Sequence, residues 1–295
     1  MKHKIIAAPP KKKRIPGWVR SSAPWLLLSN VKLAFKRIAL TRPYRARGRE
    51  IKTFLYFMAV EYPGVGGIGS LTFQFKGIEF DLRPMEWHLM EAILLQNEYE
   101  PIKKLFEGKT PGLIIDAGAN VGMFTVYALT NWPTARIFAI EPGPDTFKLL
   151  ERNQKKNPTL GWQVLSYAFW KEDGSIFFEA NGLSMAAHVS EQAKGVEVRA
   201  IRLDHFIDKF LQPGERISIL KMDIEGAEEA VLVASQDVLN RVDAMIIEVH
   251  PGMCNETVVR NILETEFEFI YDLSTPSTKY PVMLACRKPL ANFEA

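Results

Sequence analysis

The chain has 295 residues, 47% hydrophobic and 24% charged, a composition that excludes a disordered or collagen-like polymer and can bury a sizeable core. Its formal charge of +3 hides an asymmetry: residues 1–52 hold 15 of the 37 lysines and arginines but one of the 34 acids, leaving 22 basic against 33 acidic residues beyond them. A basic arm thus precedes an acidic body, and one main domain with appended segments is expected.

In the arm, Lys11–Arg14 lies between Pro9-Pro10 and Pro16-Gly17, which forbids a helix there. Leu28, Val31, Phe35 and Ile38 then recur at helical spacing, interrupted by Lys32, Lys36 and Arg37, and predict a basic, weakly amphipathic helix. Such an arm either docks on an anionic membrane surface or polyanionic partner, or packs on the main domain behind a solvated tail. Nucleic acid ranks behind both, because no recognised binding motif accompanies the charge. The longest apolar run near the N-terminus, Pro24 to Leu28, is too short to span a bilayer, and no small-residue cleavage site follows it. The two cysteines, Cys254 and Cys286, lack C-x-x-C partners and suggest neither a disulfide framework nor a zinc site. A reducing, cytoplasmic setting is expected, with peripheral attachment to a membrane as the arm's option.

Residues 53–110 read as an α+β cap. LTFQFKGIEFDLRP alternates apolar and polar residues around Gly77, as in a hairpin, and helices are predicted over Met85 to Gln96 and from NEYEP onward. Residues 111–295 become regular. Strands are predicted at Leu113–Asp116, Arg136–Glu141, Gln163–Ala168, Ile217–Asp223, Ala244–Val249, Phe267–Leu273 and Val282–Arg287, with amphipathic helices between most of them. An insertion carries strands at Ser175–Glu179 and Val196–Ile201 and a helix at Leu203–Phe210. This alternation predicts an α/β fold: a Rossmann-like, doubly wound, seven-stranded and mainly parallel sheet whose ligand sits beyond the strands' carboxyl ends.

The first strand exits into DAGANVG (116–122). Gly118 permits a backbone close to a ligand, and Gly122 permits close helix-strand packing. A dinucleotide fingerprint needs a further glycine, where this chain has Asn120, and Asp116 would repel a pyrophosphate. A carboxylate there suits a cationic amino-acid moiety, so the turn points to S-adenosylmethionine (SAM). Glu141, at the second strand's end in AIEPG with Pro142, can accept both ribose hydroxyls. The plainer alternatives are a tight strand-helix turn and a surface acid.

LIIDAGANVGMFTVYAL, AIEPGPDTFKLLERN, IRLDHFI, ILKMDIEGAEEAVL and MIIEVHP closely resemble FkbM-type methyltransferases, class I SAM-dependent enzymes, over about Leu71 to Arg287. The resemblance implies O-methylation of a hydroxyl on a glycan, lipid-linked or secondary-metabolite acceptor. It places Asp116, Ala117, Gly118, Asn120, Gly122, Glu141 and Pro142 around the cofactor, Ala168 and Phe169 against the adenine, and Glu98 and Tyr99 in a lid.

Catalytic candidates cluster at two strand exits. Asp223 and Glu225, two residues apart before Gly226, would supply a base, a metal site, or one of each; alternatively Asp223 orders the loop and Glu225 caps the helix from Ala227. No resident metal is expected. His250, at the end of IIEVHP, is either a general base or a structural histidine, and His205 belongs to packing or surface. The rival functions are an NAD-dependent oxidoreductase of similar fold, and a non-catalytic module docking through its basic arm. Base methylation is disfavoured because the fourth exit reads DIEG, not Asn/Asp-Pro-Pro-aromatic.

Overall fold

The computed structural model describes residues 23–44, 50–61, 69–180, 187–190, 195–274 and 279–290. They belong to two compact units, 1–68 and 69–295. In the first, helices α1 (Ala23–Thr41) and α2 (Glu50–Glu61) pack together, with the Phe35 and Phe54 rings 5.5 Å apart. The helix expected in the arm is therefore present, whereas the Lys11–Arg14 run lies outside the described residues. Among the described residues, no helix is long and apolar enough to cross a membrane.

The second unit opens on the expected hairpin, β1 (Leu71–Phe75) and β2 (Ile78–Leu82), paired from Leu71↔Leu82 to Phe75↔Ile78. Lys76 and Gly77 turn it with φ of 46° and 90°, the left-handed pair that matches strand twist in a two-residue loop. Residues Pro84–Leu95 differ from the single helix predicted there. They form a 3-10 turn (Pro84–Glu86), one α-turn (Trp87–Leu89) and a π-helical turn (Met90–Leu95). Glu86 folds back onto Arg83 and tightens the first turn, while the widened last turn buries Met90, Ile93 and Leu94. Helix α3 (Glu100–Leu105) follows.

The core is then laid down in order: β3 (Leu113–Ala117), α4 (Met123–Asn131), β4 (Arg136–Ile140), α5 (Pro144–Lys155) and β5 (Trp162–Leu165). An insertion holds β6 (Ala168–Phe169), β7 (Gly174–Ala180), β8 (Ala187–Ser190), β9 (Val196–Ile201) and α6 (Leu203–Phe210). The chain returns through β10 (Ile217–Met222), α7 (Glu228–Ala234), β11 (Val242–Glu248), α8 (Glu256–Glu266), β12 (Phe269–Asp272) and β13 (Val282–Cys286).

The main sheet has the order β12-β13-β11-β10-β3-β4-β5, with β13 antiparallel to both neighbours and the other pairings parallel. The seven strands are the seven expected, and strand order reverses between β3 and β10, which creates the crevice at their carboxyl ends. β3 and β13 are buried along their whole length, as strands covered on both faces must be.

One expected strand divides. Instead of running from Gln163 to Ala168, the chain leaves the main sheet after Leu165, and β6 joins a second sheet of order β6-β9-β7-β8. Ala168 and Phe169 pair with Ala200 and Ile201, a partner distant in sequence that local alternation cannot reveal.

The hairpin is fastened to α5 by two asparagines one turn apart. Asn153 accepts from the Asp81 amide at 2.7 Å and donates to the Asp81 and Val121 carbonyls, and Asn157 takes both the amide and carbonyl of Glu79. Each carboxamide thus satisfies a β2 edge residue as a neighbouring strand would.

Candidate active site

A cavity of about 500 Å³ opens at the carboxyl ends of β3, β4, β10 and β11, walled on one side by His88 to Tyr99 and on another by Lys279 and Tyr280. Its front edge is the turn after β3. The Gly118 and Ala119 amides both donate to the Ile140 carbonyl, at 3.0 and 2.8 Å, which lashes the turn to β4. Gly118 has φ 73°, and a Cβ there would overlap the Asp223 carbonyl oxygen. The space that glycine leaves is filled by the β10 exit, not kept for a ligand. Asn120, at the position of the missing glycine, holds the left-handed φ of 51° that asparagine tolerates. Gly122, φ 92°, lets Leu150 and Trp162 approach the start of α4, as close packing of helix on strand requires.

Glu141 binds this turn from behind. Its Oε2 accepts from the Asn120 amide at 2.9 Å and its Oε1 from the Gly143 amide at 2.8 Å. Burial pushes its carboxyl up to about 7, against the opposing pull of those two amides. Each oxygen keeps a further lone pair for a ligand hydroxyl.

Of the sequence-expected cofactor residues, Gly118, Asn120, Glu141, Pro142, Ala168 and Phe169 line the cavity, while Asp116, Ala117 and Gly122 stand behind its wall. Asp116 is fully buried. Its Oδ2 accepts from Thr125 at 2.7 Å, and Oδ1, with no hydrogen bond among the described residues, lies 3.5 Å from the Lys221 ammonium. Lys221 in turn donates to the Gly118 carbonyl at 2.8 Å and stands 3.4 Å from Asp223. Burial opposes its charge, but Asp223 and Asp116 overcome that and raise its pKa. Asp116 therefore meets the cavity through a lysine rather than directly.

The catalytic candidates do converge. Glu225, at a left-handed φ of 54°, points to His250, with Oε2 3.3 Å from Nε2, and Asp223 Oδ1 is 3.9 Å from the same nitrogen. Behind the ring, His250 Nδ1 is 2.9 Å from Glu228 Oε1, which also accepts from the Ile224 and Gly226 amides. Burial alone would discharge the imidazole; Glu225 and Glu228 outweigh it and push its pKa up to about 10. Glu248 faces the same cavity, its carboxyl pushed up to about 8 by burial first and by Asp223 second.

Glu98 and Tyr99, expected in a lid, are in the wall, and Tyr99 also packs edge-on against Phe124 at 4.9 Å. His205 sits at the surface beside Asp173, outside the cavity lining.

A family model described as the methyltransferase FkbM domain matches residues 116–275, more than half the chain. The chain belongs to the FkbM methyltransferase family. Curated relatives agree: it is 28% identical to Methyltransferase 1 of Beauveria bassiana over 52% of this chain and 70% of that one. It is also 28% identical to the hexuronic acid methyltransferase AglP of Haloferax volcanii, over 63% of this chain and 73% of that one. Among solved structures, the SAM-bound magnesium protoporphyrin IX methyltransferase of Synechocystis PCC 6803 aligns at TM-score 0.40 and 12% identity, over 68% of this chain and 84% of that one.

This methyltransferase uses SAM as its cofactor. The cavity fits that cofactor: Glu98, Glu141, Asp223, Glu225 and Glu248 outnumber Lys221, Lys279 and His250 in its lining, which suits a cationic ligand. Asn120 adds a buried Oδ1 with no hydrogen-bond partner among the described residues. Sequence reasoning missed Lys221 and Glu228, yet the signal for the lysine was present. Alternation along β10 puts Lys221 and Asp223 on one face, and the parallel register puts Asp116 beside Lys221.

Proposed function

We propose that the enzyme methylates a hydroxyl oxygen of a glycan, lipid-linked or similar polyol acceptor. The observation that carries this reading is the convergence of Asp223, Glu225, Glu248 and His250 on one side of the cofactor cavity. SAM supplies an electrophilic methyl group, so the protein must position the acceptor and remove a proton from a weakly acidic alcohol.

Glu141 meets the ribose hydroxyls, Tyr167 to Phe169 form the wall for the base, and Asp223 with its Lys221 partner lies toward the methionine end. Glu248 takes the proton: its carboxyl lines the cavity, whereas Glu225 and Glu228 already occupy both ring nitrogens of His250. The relative named for hexuronic acid supports a sugar acceptor. The surplus of basic residues in 1–52 supports a peripheral cytoplasmic enzyme docked on anionic lipid, a contact that liposome sedimentation at rising salt would test.

The test is transfer from SAM with a labelled methyl group to uronic-acid-containing oligosaccharides and neutral polyols, read by mass spectrometry before and after mild base. A base-stable methyl ether is expected. A product wholly labile to base, hence an ester, would overturn the hydroxyl reading.

A further inference from the structure

Beyond the cofactor cradle, Asp223, Glu225 and His250 each offer one ligand atom, and the three atoms lie within 4.8 Å of one another. They come from two adjacent parallel strands: Asp223 and Glu225 follow β10, and His250 follows β11. The set is mixed, two carboxylate oxygens and one imidazole nitrogen, and all three residues line the cavity. Such a set suits a hard or borderline divalent ion such as Mg²⁺ or Mn²⁺.

An independent feature lies outside the three. Glu228, with no solvent exposure, engages His250 Nδ1 at 2.9 Å and so turns Nε2 toward Asp223 and Glu225. A carboxylate behind the histidine is the outer partner that orients metal-binding imidazoles. Glu228 Oε2 is buried with no hydrogen-bond partner among the described residues. Glu225 keeps its left-handed backbone in facing that ring.

We propose that Asp223, Glu225 and His250 bind one divalent cation, which displaces the proton from His250 Nε2 to solvent and whose remaining positions take the acceptor hydroxyl and water. The inference rests on the methyltransferase reading and names how that site holds its acceptor. A hydroxyl on the cation loses its proton more readily, the proton passing to Glu248 and the oxygen keeping the electron pair. Glu228 is a positioning residue for His250.

The experiment uses the full chain stripped with a chelator and titrated with Mn²⁺ alone, following the free-ion signal by electron paramagnetic resonance. One ion per chain is expected. Affinity should fall at least tenfold in Glu225→Gln, which keeps the side chain's size, and in His250→Gln, with circular dichroism showing both variants folded. No binding below millimolar Mn²⁺, or undiminished binding in both folded variants, would overturn the proposal. SAM titration of the same stripped protein separates the two readings: SAM binding without Mn²⁺ binding removes the cation alone, whereas loss of both removes the cofactor site as well.

Discussion

Asp116 and Lys221 face each other across the seam between β3 and β10, 3.5 Å apart and each at most 5% exposed. The lysine also spans the Gly118 carbonyl and Asp223, so one ammonium ties the cofactor turn to the catalytic exit. Lys221→Met leaves Asp116 buried without its partner and should cost about 3–5 kcal/mol, because an uncompensated buried charge is worse than none. Adding Asp116→Asn should return part of that loss. Urea unfolding of the two single variants and the double variant is the check; strictly additive losses would show that the pair is not coupled.

The two glycines of the turn should differ in tolerance. At Gly118 a methyl group meets the backbone of Asp223 and cannot be relieved by a rotamer change. At Gly122 it meets the Leu150 Cδ1 at 2.9 Å, the end of a side chain that can shift. Gly118→Ala should therefore displace the β10 exit and abolish SAM binding, whereas Gly122→Ala should cost about 1–3 kcal/mol and leave a measurable affinity. Calorimetric titration of both variants with SAM compares them.

Glu141 imposes a pH dependence on stability. Its folded pKa, about 7, lies above the ordinary 4.5, so the fold binds this proton more tightly than the unfolded chain does. The resulting stability is fully present below pH 4.5 and is lost as pH rises through 7, a change of about 3 kcal/mol for a shift of this size. Glu141→Gln removes that dependence. Subtracting the variant's unfolding free energy from that of the wild type between pH 5 and 8 should give a falling curve; a flat one would contradict the assignment.

Asn153 helps attach the hairpin through two backbone hydrogen bonds to Asp81 and ties it to the Val121 carbonyl with a third, all in a buried setting. Asn153→Ala strands the Asp81 amide and carbonyl and should cost about 2–4 kcal/mol, with amide exchange rising first in β1 and β2. Equal acceleration throughout the main sheet would mean the hairpin does not open separately.

If Glu248 accepts the acceptor's proton, Glu248→Gln should lower turnover by about a hundredfold or more while SAM affinity changes little. Steady-state kinetics beside calorimetry distinguishes the two, and a loss confined to SAM affinity would move Glu248 from base to cofactor contact.

Much of this was legible in the chain itself. Periodicity located the seven strands, and D-x-G-x-x-x-G with AIEPG marked the carboxyl-end crevice, because side-chain spacing and glycine conformation are local properties of the backbone. What tertiary structure alone decided concerns partners remote in sequence. Ala168 and Phe169 left the main sheet because Ala200 and Ile201 pair with them. Asp116 met Lys221 rather than the open crevice because the β3–β10 register sets them side by side. His250 is fixed in place because Glu225 and Glu228 close on both ring nitrogens. Charge state and ligand reach depend on distance and burial, which arise only when separate segments pack together.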